Sequence, residues 1–156
     1  MDFTHINIEL ESGTVKIKLR TDLAPNHCER VAELANEGFY DGVVFHRVIP
    51  NFMAQTGDPT GTGTGGSNKP DLKQEFSPEN HLRGTASMAR SQNPDSANSQ
   101  FFICFQDCSW LDGQYTVWGQ VIDGMEYVDN IKQGEGNNGS IIGEPDIIVS
   151  MKMKSN

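Results

Sequence analysis

Short runs in which apolar and polar residues alternate recur along the chain, and they constrain the fold more than any other feature. The first two runs are residues 6–10 and 15–19, and Glu11-Ser12-Gly13-Thr14 separates them. Successive side chains of a strand point to opposite faces, so each run has one apolar face. A turn-forming segment between two such runs predicts an antiparallel hairpin with that face buried.

Two stretches have helical spacing instead. The first begins at Pro25, whose missing N–H costs nothing in a first helical turn. Apolar residues then recur at the i, i+3, i+4, i+7 spacing of one buried stripe: Cys28, Val31, Ala32 and Ala35. Gly38 can end this helix. A second, short helix is predicted to open at Gly124-Met125, with Met125, Val128 and Ile131 on one side.

Further strands are predicted along the rest of the chain. They begin at residues 43 and 52, cover 84–90, 100–105 and 116–121, and end with alternating Ile147, Val149, Met151 and Met153. About eight short antiparallel strands with two helices predict a barrel or a sandwich, and closure into a barrel would remove the exposed strand edges. Since neither repeats nor a linker interrupt the chain, residues 1–156 are predicted to form a single domain.

Residues 57–83 differ from this pattern, because they are rich in Gly, Pro, Asn, Asp and Ser. A long irregular segment in a compact domain usually carries function. Within it, residues 61–66 match the G-x-G-x-x-G pattern. A dinucleotide-binding loop needs a strand before it and a helix after it, but Asp58-Pro59 precedes this one and Pro70 soon follows. Nucleotide binding and an oxidoreductase are therefore disfavoured, and we expect the glycines to let the loop run close to another surface.

The composition excludes several functional classes. The 156 residues carry a net charge of -9, and an acidic surface repels phosphate backbones and anionic lipid, so neither nucleic acid nor a membrane is an expected partner. No apolar run approaches the roughly 20 residues of a membrane span. The first five residues lack the pattern of a signal peptide.

The chain has three cysteines, at positions 28, 104 and 108. Their odd number and the absence of metal-ligand spacing predict a reducing, cytoplasmic compartment. No two histidines have metal-ligand spacing either, so we expect no metal ion. Cys28 is predicted to be a small core residue. Cys104, in an apolar run, is predicted to be inert, and a regulatory disulfide with Cys108 is the alternative.

Residues 45–58 contain the most chemically informative pattern. Arg47 precedes Phe52 and Met53 by a few residues, and Gln55 follows. A permanent cation and an amide beside large apolar side chains suit an apolar pocket with a few polar anchors at its rim. Strict alternation sends Phe52 to the face opposite Met53 and Gln55, so the pattern alone does not put it in a pocket. An arginine among apolar residues needs a partner or a function, and a structural ion pair is the alternative to a functional role.

A second group of interest comprises Ala89, Gln100, Phe102 and the segment Trp110-Leu111. Gln100 and Phe102 share one face of their predicted strand. On pattern alone, ordinary core is the simpler interpretation of the apolar residues in both groups.

Taken in order along the chain, these segments resemble the cyclophilins, a family of peptidyl-prolyl cis-trans isomerases. The resemblance rests on Phe45-His46-Arg47, Phe52-Met53, Gln55-Thr56-Gly57-Asp58, Ser87-Met88-Ala89, Ser99-Gln100-Phe101-Phe102-Ile103 and Trp110-Leu111-Asp112-Gly113. Together the segments are highly specific, whereas any one alone would be weak. The resemblance spans nearly the whole chain and implies a mainly β fold: a closed eight-stranded antiparallel β-barrel capped by two α-helices.

The resemblance also implies the site residues. The residues implied as catalytic are Arg47, Gln55 and Phe52. Those implied to contact substrate are Met53, Ala89, Arg90, Gln100, Phe102, Trp110, Leu111 and Tyr115. In the family, a loop like residues 61–66 borders the substrate groove.

Two positions depart from the pattern of many eukaryotic members. Tyr115 stands where those members have a histidine, and Arg90 stands where they have an asparagine; both substitutions are similar to the bacterial-type branch. The tyrosine can still stack on a proline ring, and Arg90 adds charge to the rim. Trp110 agrees with drug-sensitive members, whose indole N–H donates to cyclosporin, so the resemblance implies binding of that drug.

The function implied by the resemblance is isomerisation of X-Pro bonds in proline-containing peptides and unfolded proteins, by a monomer. The alternative is a proline-peptide binding module in which catalysis is incidental, since fold alone does not decide function. The arginine favours the enzyme, because binding a proline ring does not need a cation. Rotation about the amide breaks no covalent bond, so the reaction needs no nucleophile, metal or cofactor.

Overall fold

The computed structural model describes residues 4–155, and within that range the chain contains eight strands, two α-helices and one 3-10 turn. The elements are β1 Thr4–Leu10, β2 Gly13–Leu19, α1 Pro25–Asn36, β3 Arg47–Ile49, β4 Met53–Thr56, β5 Thr85–Met88, β6 Phe101–Cys104, the 3-10 turn Ser109–Leu111, β7 Val117–Asp123, α2 Met125–Asp129 and β8 Ser150–Ser155.

The N-terminal hairpin forms as the alternation predicts. Ile6 is paired with Ile17, and Ile8 with Val15, in an antiparallel register. All four side chains are buried. Because residues directly opposite each other in a sheet lie on the same face, the two apolar faces combine into one.

All eight strands belong to one antiparallel sheet with the order β3-β4-β6-β5-β7-β2-β1-β8, which confirms the predicted mainly β fold with two helices. The predicted closure is not confirmed, because β3 and β8 lie at opposite ends of this order and no ladder joins them within residues 4–155. The segments that precede these strands meet instead: Val44 forms an isolated bridge with Ile147, and the Phe45 N–H donates to the Asp146 carbonyl oxygen at 2.9 Å. The sheet is therefore curled but open.

The main core lies between this sheet and α1. Its largest buried side chains include Tyr40, Phe101 and Trp118. Phe101 lies edge-on to the other two, with ring centroids 5.5 Å from Tyr40 and 5.4 Å from Trp118. Edge-to-face packing of this kind suits the quadrupoles of aromatic rings, and it anchors β6, the strand that carries Phe102 into the site.

The buried face of α1 is rotated slightly from the prediction. Val31 and Ala35 are fully buried as expected, but Leu34 is buried in place of Ala32. His27 is also buried, and its imidazole is paired with the Glu75 carboxylate. The sheet and the 57–83 segment thus cover the flank of the helix that contains positions 27 and 34, whereas position 32 faces an open groove.

Two predicted strands begin later than the sequence pattern indicates. β3 begins at Arg47 rather than at 43, and β8 begins at Ser150. Before β8 the predicted alternation is wrong, because Ile148 is buried while Val149 is 45% exposed. The backbone of residues 43–45 bonds to residues 146–148 outside the main sheet, and a bend at position 149 separates that pairing from β8.

Residues 57–83 contain neither a helix nor a strand, as predicted, apart from an isolated bridge at Leu72. The three cysteines are free and buried, which confirms Cys28 as a core residue. Burial raises the pKa of the Cys28 thiol to about 12 and also raises that of Cys104. Of the helices within residues 4–155, none is both long and apolar enough to cross a membrane.

Candidate active site

Three adjacent strands bring the key polar and apolar side chains to one level of the sheet. In the register of β3, β4 and β6, Arg47 is opposite Gln55, and Gln55 is opposite Phe102. Since directly opposed residues share a face, all three side chains project from the same face of the sheet. The alternation of β4 adds Met53 to that face.

These side chains surround a small pocket of about 100 Å³. The pocket is lined by Arg47, Phe52, Met53, Gln55, Ala89, Arg90, Phe102, Leu111 and Tyr115. Its floor is apolar and buried: Met53, Phe102 and Leu111 are at most 7% exposed and form a cluster separate from the main core. Nine of the eleven residues expected in the site therefore lie around one cavity, and its size suits a small ring rather than a large ligand.

Phe52 reaches this pocket although strict alternation would send it to the other face. It lies in the turn that precedes β4, immediately after Asn51, which has a positive φ of 63°. The period of a strand does not apply to a turn, so Phe52 can face the pocket beside Met53. Its ring packs against Trp110 at a centroid distance of 5.4 Å. Trp110 itself is 57% exposed and lies beside the pocket rather than in its lining.

Arg47 is held at the pocket rim by neutral acceptors. Its Nε donates to the Asn138 carbonyl oxygen at 3.0 Å, and its Nη1 donates to Gln55 Oε1 at 3.2 Å. None of the ion pairs found between residues 4 and 155 includes Arg47. The alternative of a structural ion pair therefore has no support in this part of the chain, and the charge of the guanidinium is not neutralised beside the pocket.

A chain of amides continues from Arg47 to the glycine-rich loop, which comprises residues 61–66. Gln55 Nε2 donates to Gln100 Oε1 at 2.9 Å, and Gln100 Nε2 donates to the carbonyl oxygens of Gly63 and Gly65, each at 3.0 Å. Gln100 and this loop line a second, larger cavity of about 570 Å³ next to the first. The loop thus lies next to the small pocket, although Gln100 does not line that pocket.

Arg90 and Tyr115 form the outer wall of the small pocket. The guanidinium of Arg90 lies 4.7 Å from the Tyr115 ring centroid, a cation–π distance. Its Nε and Nη2 both donate to the Gln114 carbonyl oxygen. Tyr115 in turn lies edge-on to Phe102 at 5.8 Å. Arg90 therefore braces the tyrosine that contacts the pocket floor.

Sequence reasoning missed the backbone acceptors of the site. Asn138 and Gln114 contribute through carbonyl oxygens, which any residue could provide, so no side-chain pattern could have indicated them. Asn138 lies 91 positions from Arg47 along the chain. The arrangement as a whole offers an apolar seat for a ring, with a fixed cation and an amide at its rim. Among the described residues, no group of three His, Cys, Asp or Glu could hold a metal ion.

Comparison with known proteins decides the family. The family model of cyclophilin type peptidyl-prolyl cis-trans isomerases matches residues 5–153. The chain belongs to the cyclophilin family. As a cyclophilin it is a peptidyl-prolyl cis-trans isomerase, which confirms the activity implied by the motifs.

Individual relatives agree with this assignment. A Brucella suis protein named "Probable peptidyl-prolyl cis-trans isomerase" is 50% identical over 159 residues, which cover 95% of this cyclophilin and 81% of the relative. The Emericella nidulans "Peptidyl-prolyl cis-trans isomerase-like 1" is 41% identical, with 86% and 85% covered.

Solved structures are similar over the same length. A crystal structure of a Cryptosporidium parvum cyclophilin type isomerase has a TM-score of 0.88 and 31% identity, and the match covers 99% of both chains. A second crystal structure of that protein, in the presence of the dipeptide Ala-Pro, has a TM-score of 0.87, with 97% of this chain and 99% of that chain covered.

Proposed function

We propose that the small pocket binds the proline ring of an X-Pro segment and that Arg47 assists rotation of the prolyl amide. The observation that carries this proposal is the guanidinium of Arg47, which pairs with no carboxylate among residues 4–155 and lies at the rim of a buried apolar floor. The Ala-Pro dipeptide present with the Cryptosporidium relative supports proline-containing peptides as ligands. Unfolded proteins with exposed X-Pro bonds would then be the substrates, and residues 1–156 would act as a single, monomeric, cytoplasmic isomerase domain.

The energetic requirement of the reaction is modest. Amide resonance gives rotation a barrier of about 18–20 kcal/mol, and uncatalysed exchange takes tens to hundreds of seconds. A rate of about a thousand events per second needs roughly five decades, or about 7 kcal/mol. Selective stabilisation of the twisted amide can supply this without covalent chemistry.

Arg47 is suited to that stabilisation. As the amide twists, its nitrogen loses resonance, becomes pyramidal and gains a lone pair that can accept a hydrogen bond. The guanidinium of an arginine is a permanent cation, so Arg47 can donate to that nitrogen or to the adjacent carbonyl oxygen. The interaction accelerates rotation only to the extent that it is stronger in the twisted state than in either planar state.

The other pocket residues would hold one side of the bond still. Phe52, Met53, Phe102 and Leu111 would grip the proline ring, because apolar contact with a buried floor restrains the ring without opposing rotation of the preceding residue. Gln55 would bind the flanking backbone through its amide. We assign Ala89 and Tyr115 to the walls of the small pocket, and Gln100 to the wall of the larger cavity beside it. Arg90 supports Tyr115.

The decisive experiment is NMR exchange spectroscopy on an Ala-Pro peptide with wild type and Arg47→Ala. We expect fast cis-trans exchange with wild type and a loss of about a hundredfold or more in the variant. Arg83→Ala is the matched control, because Arg83 is an arginine paired with Asp129 away from the pocket, and its removal should leave exchange unchanged.

The outcomes separate enzyme from binding module. If wild type binds the peptide, by chemical-shift perturbation, without accelerating exchange, the binding-module alternative is favoured. If Arg47→Ala exchanges the peptide as fast as wild type, the proposed role of Arg47 is wrong.

We also propose that the site binds cyclosporin, because the exposed indole of Trp110 beside Phe52 leaves its N–H available to an external acceptor. Titration with the drug should change tryptophan fluorescence and inhibit exchange. Absence of both effects at micromolar drug would rule this out.

A further inference from the structure

Asp58 is a buried acid that none of the proposed steps uses. Its carboxylate is 0% exposed. Oδ1 accepts from the Thr60 N–H and hydroxyl, both at 2.8 Å. Oδ2 accepts from the N–H groups of Thr62 at 3.2 Å, Gly63 at 2.6 Å and Gly65 at 3.0 Å. One buried carboxylate therefore accepts hydrogen bonds from Thr60 and from the N–H groups of three residues of the glycine-rich loop, and so fixes the conformation of that loop.

The charge of Asp58 is maintained by these donors. Burial by itself disfavours the carboxylate and raises the pKa, but the hydrogen bonds from Gly65, Thr60 and Gly63 outweigh it. The net effect holds the pKa of Asp58 well below its ordinary value. Several backbone N–H groups on one carboxylate have this effect because they stabilise only the charged form.

The loop arranged by Asp58 has a direct effect on Gln100. With the N–H groups of Gly63 and Gly65 turned to the carboxylate, their carbonyl oxygens both accept from Gln100 Nε2. A primary amide has two donor hydrogens, so both are used. A reversed amide would set its oxygen against two carbonyl oxygens, and the loop therefore determines which way Gln100 faces.

The orientation of Gln100 then determines the next two groups. Its Oε1 must face Gln55 and accept from Nε2 at 2.9 Å. Gln55 consequently turns its own Oε1 to Arg47, which donates from Nη1 at 3.2 Å. Each donor–acceptor choice in this series follows from the one before it.

We propose that Asp58 is a positioning residue for catalysis, which acts through the glycine-rich loop, Gln100 and Gln55 to orient the guanidinium of Arg47. This inference rests on the proposed role of Arg47. A small misplacement of a catalytic group can cost up to about 10²-fold in rate, so a relay of this kind matters even though Asp58 touches no substrate.

The test is a double-mutant cycle in the NMR exchange assay. Asp58→Ala should lower kcat/KM by about tenfold in the wild-type background. Asp58→Asn should lose less activity than Asp58→Ala, because one oxygen remains to accept from the N–H groups of Gly63 and Gly65. The asparagine variant also serves as the test protein if Asp58→Ala does not fold. In the Arg47→Ala background, either substitution should lower kcat/KM by a smaller factor than in wild type, because only the part that acts through Gln55 and Gln100 on the substrate remains.

Three controls make the result specific. Asp129→Asn removes a carboxylate with the same change of charge from a surface ion pair and should leave kcat/KM unchanged. The Gln55 and Gln100 side-chain amide resonances and the Arg47 Nε–H resonance should shift in Asp58→Ala but not in Asp129→Asn. Thermal unfolding reports whether each variant is folded at the assay temperature.

Different outcomes would contradict the role of Asp58 and the role of Arg47. If the Asp58 variants lower kcat/KM by the same factor in both backgrounds, or do not lower it in the wild-type background, the positioning role of Asp58 is wrong while Arg47 keeps its role. If Arg47→Ala alone is as active as wild type, the proposed function fails, and the relay fails with it.

Discussion

Gln55→Glu is an isosteric substitution that should turn the neutral acceptor of Arg47 into a competing anion. In the structure, Gln55 accepts from Arg47 at 3.2 Å and donates to Gln100 at 2.9 Å. A glutamate keeps the first contact as an ion pair. It loses the second, because a carboxylate has no hydrogen to donate and would face the Gln100 oxygen directly.

The magnitude follows from the strength of the new pair. Exposed ion pairs contribute about 0.2–1 kcal/mol, and hydrogen bonds to charged groups contribute about 1.5–3 kcal/mol. Arg47 and Gln55 are both partly buried, so we take about 1–2 kcal/mol as the added ground-state attraction. If the twisted amide must compete with that attraction, kcat/KM should fall by about 5- to 30-fold.

The assay is again NMR exchange on an Ala-Pro peptide, with two further variants. Gln55→Met removes both hydrogen bonds without adding charge and should lose less activity than Gln55→Glu. Gln106→Glu adds the same charge at an exposed position and should have wild-type activity. If Gln55→Glu is as active as wild type, or if the methionine variant is the more impaired of the two, the reasoning about Arg47 is refuted.

Three further predictions test packing and charge. Tyr40→Phe removes a buried hydroxyl that donates to the Ser99 carbonyl oxygen at 2.8 Å and should lower the free energy of unfolding by about 1–3 kcal/mol; an unchanged urea midpoint would contradict this. Gly57→Ala should lower the Tm more than Gly113→Ala, because both glycines have positive φ but only at Gly57 would the added Cβ lie 2.5 Å from the Ser99 carbonyl oxygen; equal Tm values would count against it. Burial opposes ionisation of Asp58, but hydrogen bonding outweighs it and lowers the pKa of Asp58 in the folded state. The ionised Asp58 therefore contributes stability above the unfolded pKa of about 3.9, and this contribution is lost as the pH falls through the folded pKa. Wild type should therefore lose stability below about pH 4 more steeply than Asp58→Asn, and parallel acid denaturation curves would disprove the effect.

Much of the secondary structure could be predicted because its signals are local. The hairpin of β1 and β2 follows from a period of two residues, and α1 follows from a period near 3.6 with Pro25 at its start. Those periods specify which face of an element is apolar. They do not specify what covers that face, which is why Leu34 is buried instead of Ala32 and why the alternation before β8 shifts.

In the active site, too, the local pattern indicates which side chains are present but not all of their partners. The segment 45–58 and the ordered set of motifs identify the family and name the side chains that surround the pocket. Phe52 was ambiguous from the pattern because it lies in a turn, where a strand period does not apply. The Asn138 carbonyl oxygen could not be predicted, because backbone acceptors leave no mark on the sequence.

The sequence by itself determined the buried face of the β1–β2 hairpin, the helix starts, the irregular nature of residues 57–83 and nine of the side chains that line the small pocket. Only the tertiary structure decided that, within residues 4–155, the sheet stays open between β3 and β8 and Arg47 donates to neutral acceptors rather than to a carboxylate. It alone also connected Asp58 to Arg47 through the glycine-rich loop. The physical reason is that periodicity and turn chemistry act over a few residues, whereas these features depend on contacts between segments that are distant along the chain and meet only in the folded state.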